Sequence, residues 1–98
     1  MKICELTPEN IGAACSIFRV EKLRITQSEF AVKHHISKAA LSYYERGISL
    51  SLLTFLAYTK EGFIEYLDNI NISDVAALLK TNAFKQRAFI NRDLAKPI

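Results

Sequence analysis

The chain has 98 residues, half of them apolar and about a quarter charged, with only three glycines, which fits one compact helical domain with a modest core and argues against extended disorder. Its net charge of +3 permits binding to a polyanion without demanding it. Residues 1–48 carry seven basic and five acidic side chains, 49–72 one basic and three acidic, and 73–98 five basic and two acidic, so a positive surface can come only from the two ends.

Cys4 and Cys15 are the only cysteines. No stretch has the pattern of a signal peptide, and no apolar run approaches the roughly 18 residues of a spanning helix. The expected address is the cytoplasm, with both thiols reduced.

Met1 to Leu6 is mixed, a tail or a short extended arm. Thr7-Pro8-Glu9 reads as a helix start: a capping hydroxyl, proline where no N–H is missed, and an acid near the positive helix end. The helix is expected from Pro8 to about Leu23, with Ile11, Ala14, Cys15, Phe18 and Lys22 as its inner stripe and Ile17 partly inside. Cys15 reads as a small core residue, with a reactive thiol as the alternative. Arg19, Lys22 and Arg24, near the end of this helix, are either solvated charges or phosphate contacts.

Thr26 followed three positions later by Glu29 is a capping box, so a helix should start at Gln27. Phe30 and Ala31 face inward together, with His34 one turn beyond Phe30. The run ends at His34-His35. Ile36 then acts as an apolar plug and Ser37 as the N-cap of a helix over Lys38 to Arg46. In that helix Leu41 and Tyr44 share the core face with Ala40 beside them, while Lys38, Ala39, Ser42 and Tyr43 fall on the opposite side. Gly47 is a left-handed terminator.

Ile48 to Ser51 is a loop, in which Ser49 or Ser51 can cap a helix over about Leu52 to Lys60. Leu52, Leu53, Phe55, Leu56 and Tyr58 make that helix apolar nearly all round, so it is expected to be buried on most sides, against the first and third helices, and to end at Gly62. Phe63 to Asn69 predicts a fifth short helix with Phe63, Ile64 and Leu67 inward and Glu65 and Asp68 outward. Ser73-Asp74 should cap a further helix from Val75 to about Thr81, with Val75, Leu78 and Leu79 on one side. Asn82 to Ile98 mixes Phe84, Ala88, Phe89 and Ile90 with Lys85, Arg87 and Arg92, and reads as continued helix or strand.

Two helices three or four residues apart, with a small residue on the first where the second must cross closely, form the arrangement of a helix-turn-helix. In Gln27, Phe30-Ala31, Ile36-Ser37, Leu41, Tyr44 and Glu45-Arg46-Gly47, preceded by Ile11-Gly12 and a basic helix, the chain resembles the Cro/repressor-type (lambda-repressor-like) helix-turn-helix family. The resemblance covers roughly Ile11 to Tyr66, with about eight positions agreeing in register. Leu41-Ser42-Tyr43-Tyr44-Glu45 also resembles the same stretch in small dimeric repressors of temperate phages.

There are departures. The family usually has glycine at the turn position of His35, which needs positive φ, and an aliphatic residue at that of His34. Many members pair an arginine late in the first helix with the glutamate corresponding to Glu45. Arg19 lies one residue early for that pairing unless the following loop is one residue longer.

The resemblance implies an all-α, five-helix lambda-repressor-like helix-turn-helix domain over residues 1–71, with the motif at 26–47. Residues 72–98 form a C-terminal extension, helical or partly strand. Its exposed aromatics call for cover, and dimerisation is the preferred reading over an extra helix closing the monomer's own core. The expected function is that of a sequence-specific regulator of transcription, bacterial or phage, acting as a homodimer on double-stranded DNA. A protein-interaction module such as an antitoxin, antirepressor or adaptor is the alternative.

A recognition helix presents its first two turns to base edges. Lys38 can donate to guanine, Ala39 can meet a thymine methyl, Ser42 can address several bases, and Tyr43 can stack on sugar or bond a phosphate. Arg46 and the Ser49 to Ser51 loop would flank the backbone. Gln27 matches the family's phosphate-positioning glutamine. Enzymatic chemistry is not expected: there is no glycine-rich phosphate loop, no HExxH and no nucleophile with a recognisable base. Cys4, Cys15, His34 and His35 lack the paired spacings of a zinc site, so neither metal nor cofactor is expected.

Overall fold

Residues 5–7, 10–78 and 80 are described by the computed structural model, and every regular element among them is helical. In chain order these are α1 (Ile11–Phe18), a π-helical turn (Arg19–Leu23), α2 (Gln27–His34), α3 (Lys38–Glu45), α4 (Leu52–Lys60) and α5 (Phe63–Tyr66) with a 3₁₀ turn (Leu67–Asn69). Residues 72–78 are also helical. Among the described residues, no helix is long and apolar enough to cross a membrane.

Helix α1 begins at Ile11, and a turn leads into it: the Thr7 carbonyl accepts from the N–H groups of Asn10 and Ile11 at 3.1 and 3.0 Å, and the Thr7 N–H donates to Asn10 Oδ1 at 2.6 Å. Pro8 and Glu9 lie outside the described residues. Ala13, Ala14, Cys15 and Phe18 are buried, and Ile11 and Ile17 pack partly against them. Lys22 is exposed and does not belong to the inner stripe. The reason is the π turn: the Arg24 N–H reaches the Arg19 carbonyl at 2.7 Å, five residues back, and the wider turn breaks the 3.6-residue period on which the stripe was projected.

Gly12 is fully enclosed where α1 crosses α3. A Cβ there would lie 1.8 Å from the Tyr44 carbonyl oxygen, so only glycine allows the two backbones to meet.

The termini of α2 and α3 form as their side chains dictate. Glu29 N–H donates to Thr26 Oγ1 at 3.1 Å and Thr26 N–H to the Glu29 carboxylate at 3.3 Å, which completes the capping box. Ser37 Oγ accepts from the Ala40 N–H at 3.1 Å. Between them His35 adopts φ +56°, the left-handed conformation that lets the chain turn sharply. Gly47, at φ +75°, follows the end of α3.

Helix α4 is fastened by one ring. Tyr58 stacks on Phe30 of α2 with centroids 4.3 Å apart and lies within 6.4 Å of Phe18, Tyr44 and Phe63 from α1, α3 and α5. Thr54, Ala57 and Tyr58 are its buried positions. The expectation that α4 is buried on most sides fails: Leu52 is 73% exposed, Leu53 75% and Leu56 44%. With the buried stripe at 54, 57 and 58, Leu52 and Leu56 fall on the far side of the helix and Leu53 on its flank, while Phe55 still packs against the core.

In α5, Phe63 is buried, Leu67 follows it inward, and Glu65 and Asp68 are exposed as expected. Ile64 is 37% exposed rather than inward. The last described helix starts at residue 72, before Ser73-Asp74, because the Asn71 carbonyl accepts from the N–H groups of Asp74 and Val75 at 3.1 and 3.3 Å. Val75 is buried and Leu78 partly so. The side chain of Leu79 and residues 81–98, on which the expected dimerisation element falls, lie outside the described residues.

Candidate nucleic-acid interface

The outward side of α3 follows from which of its residues are held inside. Leu41 has no exposure and Tyr44 only 2%. Burying Leu41 alone stabilises the docked helix by about 1.5–3 kcal/mol. That leaves Lys38, Ala39 and Tyr43 exposed, with Ser42 and Arg46 partly so. Arg46 turns back along the helix: its Nε donates to the Ser42 carbonyl at 3.3 Å, and its guanidinium sits 5.1 Å from the Tyr43 ring centre. The structure thus joins two of the expected contacts into one cation–π unit at the C-terminal end of α3.

Gln27 is tied to α3 from the other helix. Its Nε2 donates to Glu45 Oε1 at 3.0 Å. One amide hydrogen is therefore engaged, which fixes the plane of the side chain, while the second N–H and the carbonyl oxygen keep their own bonding capacity.

Glu45 is the junction of this frame. It is 2% exposed and accepts from Arg19 Nε and Nη2, both at 2.9 Å, a two-pronged guanidinium–carboxylate pair. The Tyr58 hydroxyl also donates to it. Arg19 uses its third nitrogen on the Ile25 carbonyl at 2.8 Å. Arg19 is neither a solvated charge nor a free phosphate contact, the two alternatives its sequence position suggested. It reaches Glu45 because the π turn after it accommodates an extra residue, the longer connection that the pairing requires.

Burial pulls the Arg19 guanidinium down, and its bonds to Glu45 more than offset this, leaving it raised overall. Burial, and then the adjacent Glu45 carboxylate, push the Tyr58 phenol up, so it stays a donor. Among the described residues, every buried side-chain nitrogen and oxygen has a hydrogen-bond partner.

In the sequence Tyr58 reads only as an apolar residue of α4. The available signal was a tyrosine on a buried face, since its hydroxyl must find an acceptor. A second set was also missed: Lys33 Nζ and His34 Nε2 lie 2.6 and 3.0 Å from the same Glu61 oxygen, joining α2 to the end of α4. The Lys33 ammonium holds the Glu61 carboxyl below its ordinary range against a smaller contrary effect of burial, and His34 adds to the lowering.

In the loop after α3, Ser51 is the one of the two expected serines that caps α4, its Oγ accepting from the Thr54 N–H at 3.2 Å and the Thr54 hydroxyl at 3.0 Å, while Ser49 is exposed. Leu50, 69% exposed, stands between them.

Among the described residues, no group of three or more His, Cys, Asp or Glu side chains is placed to hold a metal ion. Cys15 is fully buried, its thiol pushed up by burial, with Sγ 4.0 Å from the Tyr44 hydroxyl. His34 is bonded to Glu61, His35 is exposed at the turn, and Cys4 lies outside the described residues. Compared with protein-family models, with curated proteins and with solved structures, the chain matches none.

Proposed function

We propose that the chain is a five-helix helix-turn-helix domain of the Cro/repressor type that binds double-stranded DNA in a sequence-specific way and regulates transcription as a homodimer, by occupying its operator. The observation that carries this reading is the two-sidedness of α3. Leu41 and Tyr44 lock it to the body while Lys38, Ala39 and Tyr43 stand outward. The Gln27–Glu45 bond adds to it by tying the N-terminus of α2, where backbone N–H groups favour a phosphate, to α3 itself.

In this mechanism Lys38, Ala39 and Ser42 read base edges, Gln27 sets the register on the backbone, and the Tyr43–Arg46 pair flanks it. Three or four readers at roughly 1–3 kcal/mol each discriminate too weakly alone, so two copies occupy half-sites about 34 Å apart.

The test is in vitro selection of sites from random duplex DNA with the purified protein. A selected sequence is expected, with Lys38→Ala and Ser42→Ala each relaxing it at particular base pairs by about 1–3 kcal/mol and Gln27→Ala weakening all sequences alike. Folded variants that bind the selected site as well as the parent would remove these residues from the interface.

A second reading has its own observation. Residues 47–59 carry no charged side chain, and Leu50, Leu52 and Leu53 are each at least 69% exposed, so a surface that follows α3 directly suits protein better than phosphate. A protein-interaction module of this kind would select no DNA sequence.

A further inference from the structure

We propose that Glu45, too deep in the domain to touch DNA, is a positioning residue for it: the carboxylate holds the side-chain amide of Gln27 in a single orientation before a phosphate arrives. The inference rests on the DNA-binding reading above and deepens it, by locating what aims the backbone contact.

Glu45 is 2% exposed. Its Oε1 accepts from Gln27 Nε2 at 3.0 Å and from Arg19 Nη2 at 2.9 Å, and its Oε2 from Arg19 Nε at 2.9 Å and from the Tyr58 hydroxyl. Between them these donors take up the roughly four lone-pair sites of a carboxylate, so the group is gripped from both ends. Arg19 and Tyr58 are buried with it, whereas Gln27, the first residue of α2, is half-buried and reaches the surface. The grip is therefore passed outward through Gln27.

The chemistry of the acceptor decides which way the amide faces. A carboxylate has no hydrogen to give, so the end of Gln27 against it must be the nitrogen. The last torsion of a glutamine is otherwise broad and roughly two-fold, and an untethered amide presents its carbonyl oxygen to an incoming phosphate as readily as an N–H. Those oxygens repel. Tethered, Gln27 keeps its second N–H at a constant angle, and binding is spared the ordering of one long side chain, which is worth about two- to tenfold in affinity. A carboxylate beside DNA would ordinarily repel it, but the two-pronged Arg19 guanidinium cancels that charge.

Replacing the carboxylate separates charge from positioning by sign. Glu45→Gln removes a negative charge, which by itself tightens binding to a polyanion, yet it also introduces a group that donates as well as accepts and so lets Gln27 turn over. The experiment uses the full chain and a random-sequence duplex of about 20 base pairs at about 50 mM salt, since a backbone contact needs no chosen site. Glu45→Gln is expected to weaken binding about two- to tenfold in the parent, and by less than about twofold in the Gln27→Ala background, where no amide is left to aim. Tyr58→Phe takes a donor from Oε2 and leaves Oε1 alone, so it should lower the thermal midpoint while affinity stays within about twofold. Before any DNA is added, NMR of the parent should show the two Gln27 side-chain N–H signals well separated and one of them slow to exchange, a pattern lost in Glu45→Gln.

Tighter or unchanged binding by folded Glu45→Gln would overturn the inference. An equal loss with and without Gln27, or affinity that falls in step with stability in Tyr58→Phe, would overturn it too, because Glu45 would then act through the fold at large. So would an averaged, freely exchanging Gln27 amide in the parent, a result that needs no variant and decides the matter even where Glu45→Gln does not fold. A parent with a tethered amide that binds no duplex would overturn the phosphate role together with the DNA-binding reading, whereas a parent that binds duplex with a free amide would overturn this inference alone.

Discussion

Helices α3 and α4 have nearly equal length, the same serine N-cap and the same device of a tyrosine on the buried side, yet they turn different surfaces to solvent. Outward on α3 are a lysine, an alanine and a tyrosine with an arginine laid on it; outward on α4 are leucines. Their anchoring also differs. The end of α3 is held by Glu45, a buried carboxylate with partners from the π turn after α1, from α2 and from α4, whereas α4 is held mainly by the rings around Tyr58. The difference teaches that exposure of a polar helix face and exposure of an apolar one call for different partners, and that orientation matters more for the first. On the proposed reading α3 must be aimed at base edges, a task suited to directional charged hydrogen bonds, while an apolar contact needs only area.

The contrast breaks most completely at Glu45. Glu45→Ala leaves the Arg19 guanidinium buried without its counter-charge and is expected to cost about 3–5 kcal/mol by chemical denaturation. A loss under about 1 kcal/mol would mean that the frame does not depend on this pair.

Gly12→Ala is next. The new methyl would meet the Tyr44 carbonyl at 1.8 Å, so α1 must back away from α3, at about 1–3 kcal/mol by the same measurement. An unchanged midpoint would show that the close crossing is absent in solution.

Capping tests both helices alike. Ser37→Ala and Ser51→Ala should each cost about 0.5–2 kcal/mol, since each removes one acceptor at a helix start. A much larger effect at Ser51 would single out its additional bond from the Thr54 hydroxyl.

The smallest effect is the pH dependence of the α2–α4 bridge. The folded carboxyl of Glu61 lies below its unfolded value of about 4.3, so its contribution is complete above that pH and is lost as pH falls through the folded value. Denaturation curves of the parent and of Glu61→Gln should therefore converge as the solution is acidified below pH of about 4. Parallel curves would remove the bridge as a source of acid sensitivity.

Much of the α2–α3 pair could be read in advance because its determinants are local. Thr26, Glu29 and Ser37 act on N–H groups three residues away, and His35 and Gly47 set single backbone angles. The inward positions of Phe30, Ala31, Leu41 and Tyr44 follow from helical periodicity, which failed at Lys22, where the helix changed type, and at Ile64, which stands 37% exposed. Of the side chains proposed to contact DNA, Lys38, Ala39 and Tyr43 are exposed as expected. The coupling of Tyr43 to Arg46 and of Gln27 to Glu45 depends on rotamers that spacing does not specify.

By itself, then, the sequence determined which segments coil, where α2 to α4 begin, and which face of α3 turns inward, since caps, turns and periodicity act over three or four residues. Only the tertiary structure decided that Arg19 reaches Glu45, that Gly12 must have no side chain, and that α4 keeps its leucines in solvent. The first requires the wider turn, the second a backbone thirty-odd positions away, and the third a count of how much surface the neighbouring helices can cover. Apolar composition records a tendency to be buried, and burial itself depends on what is present to do the burying.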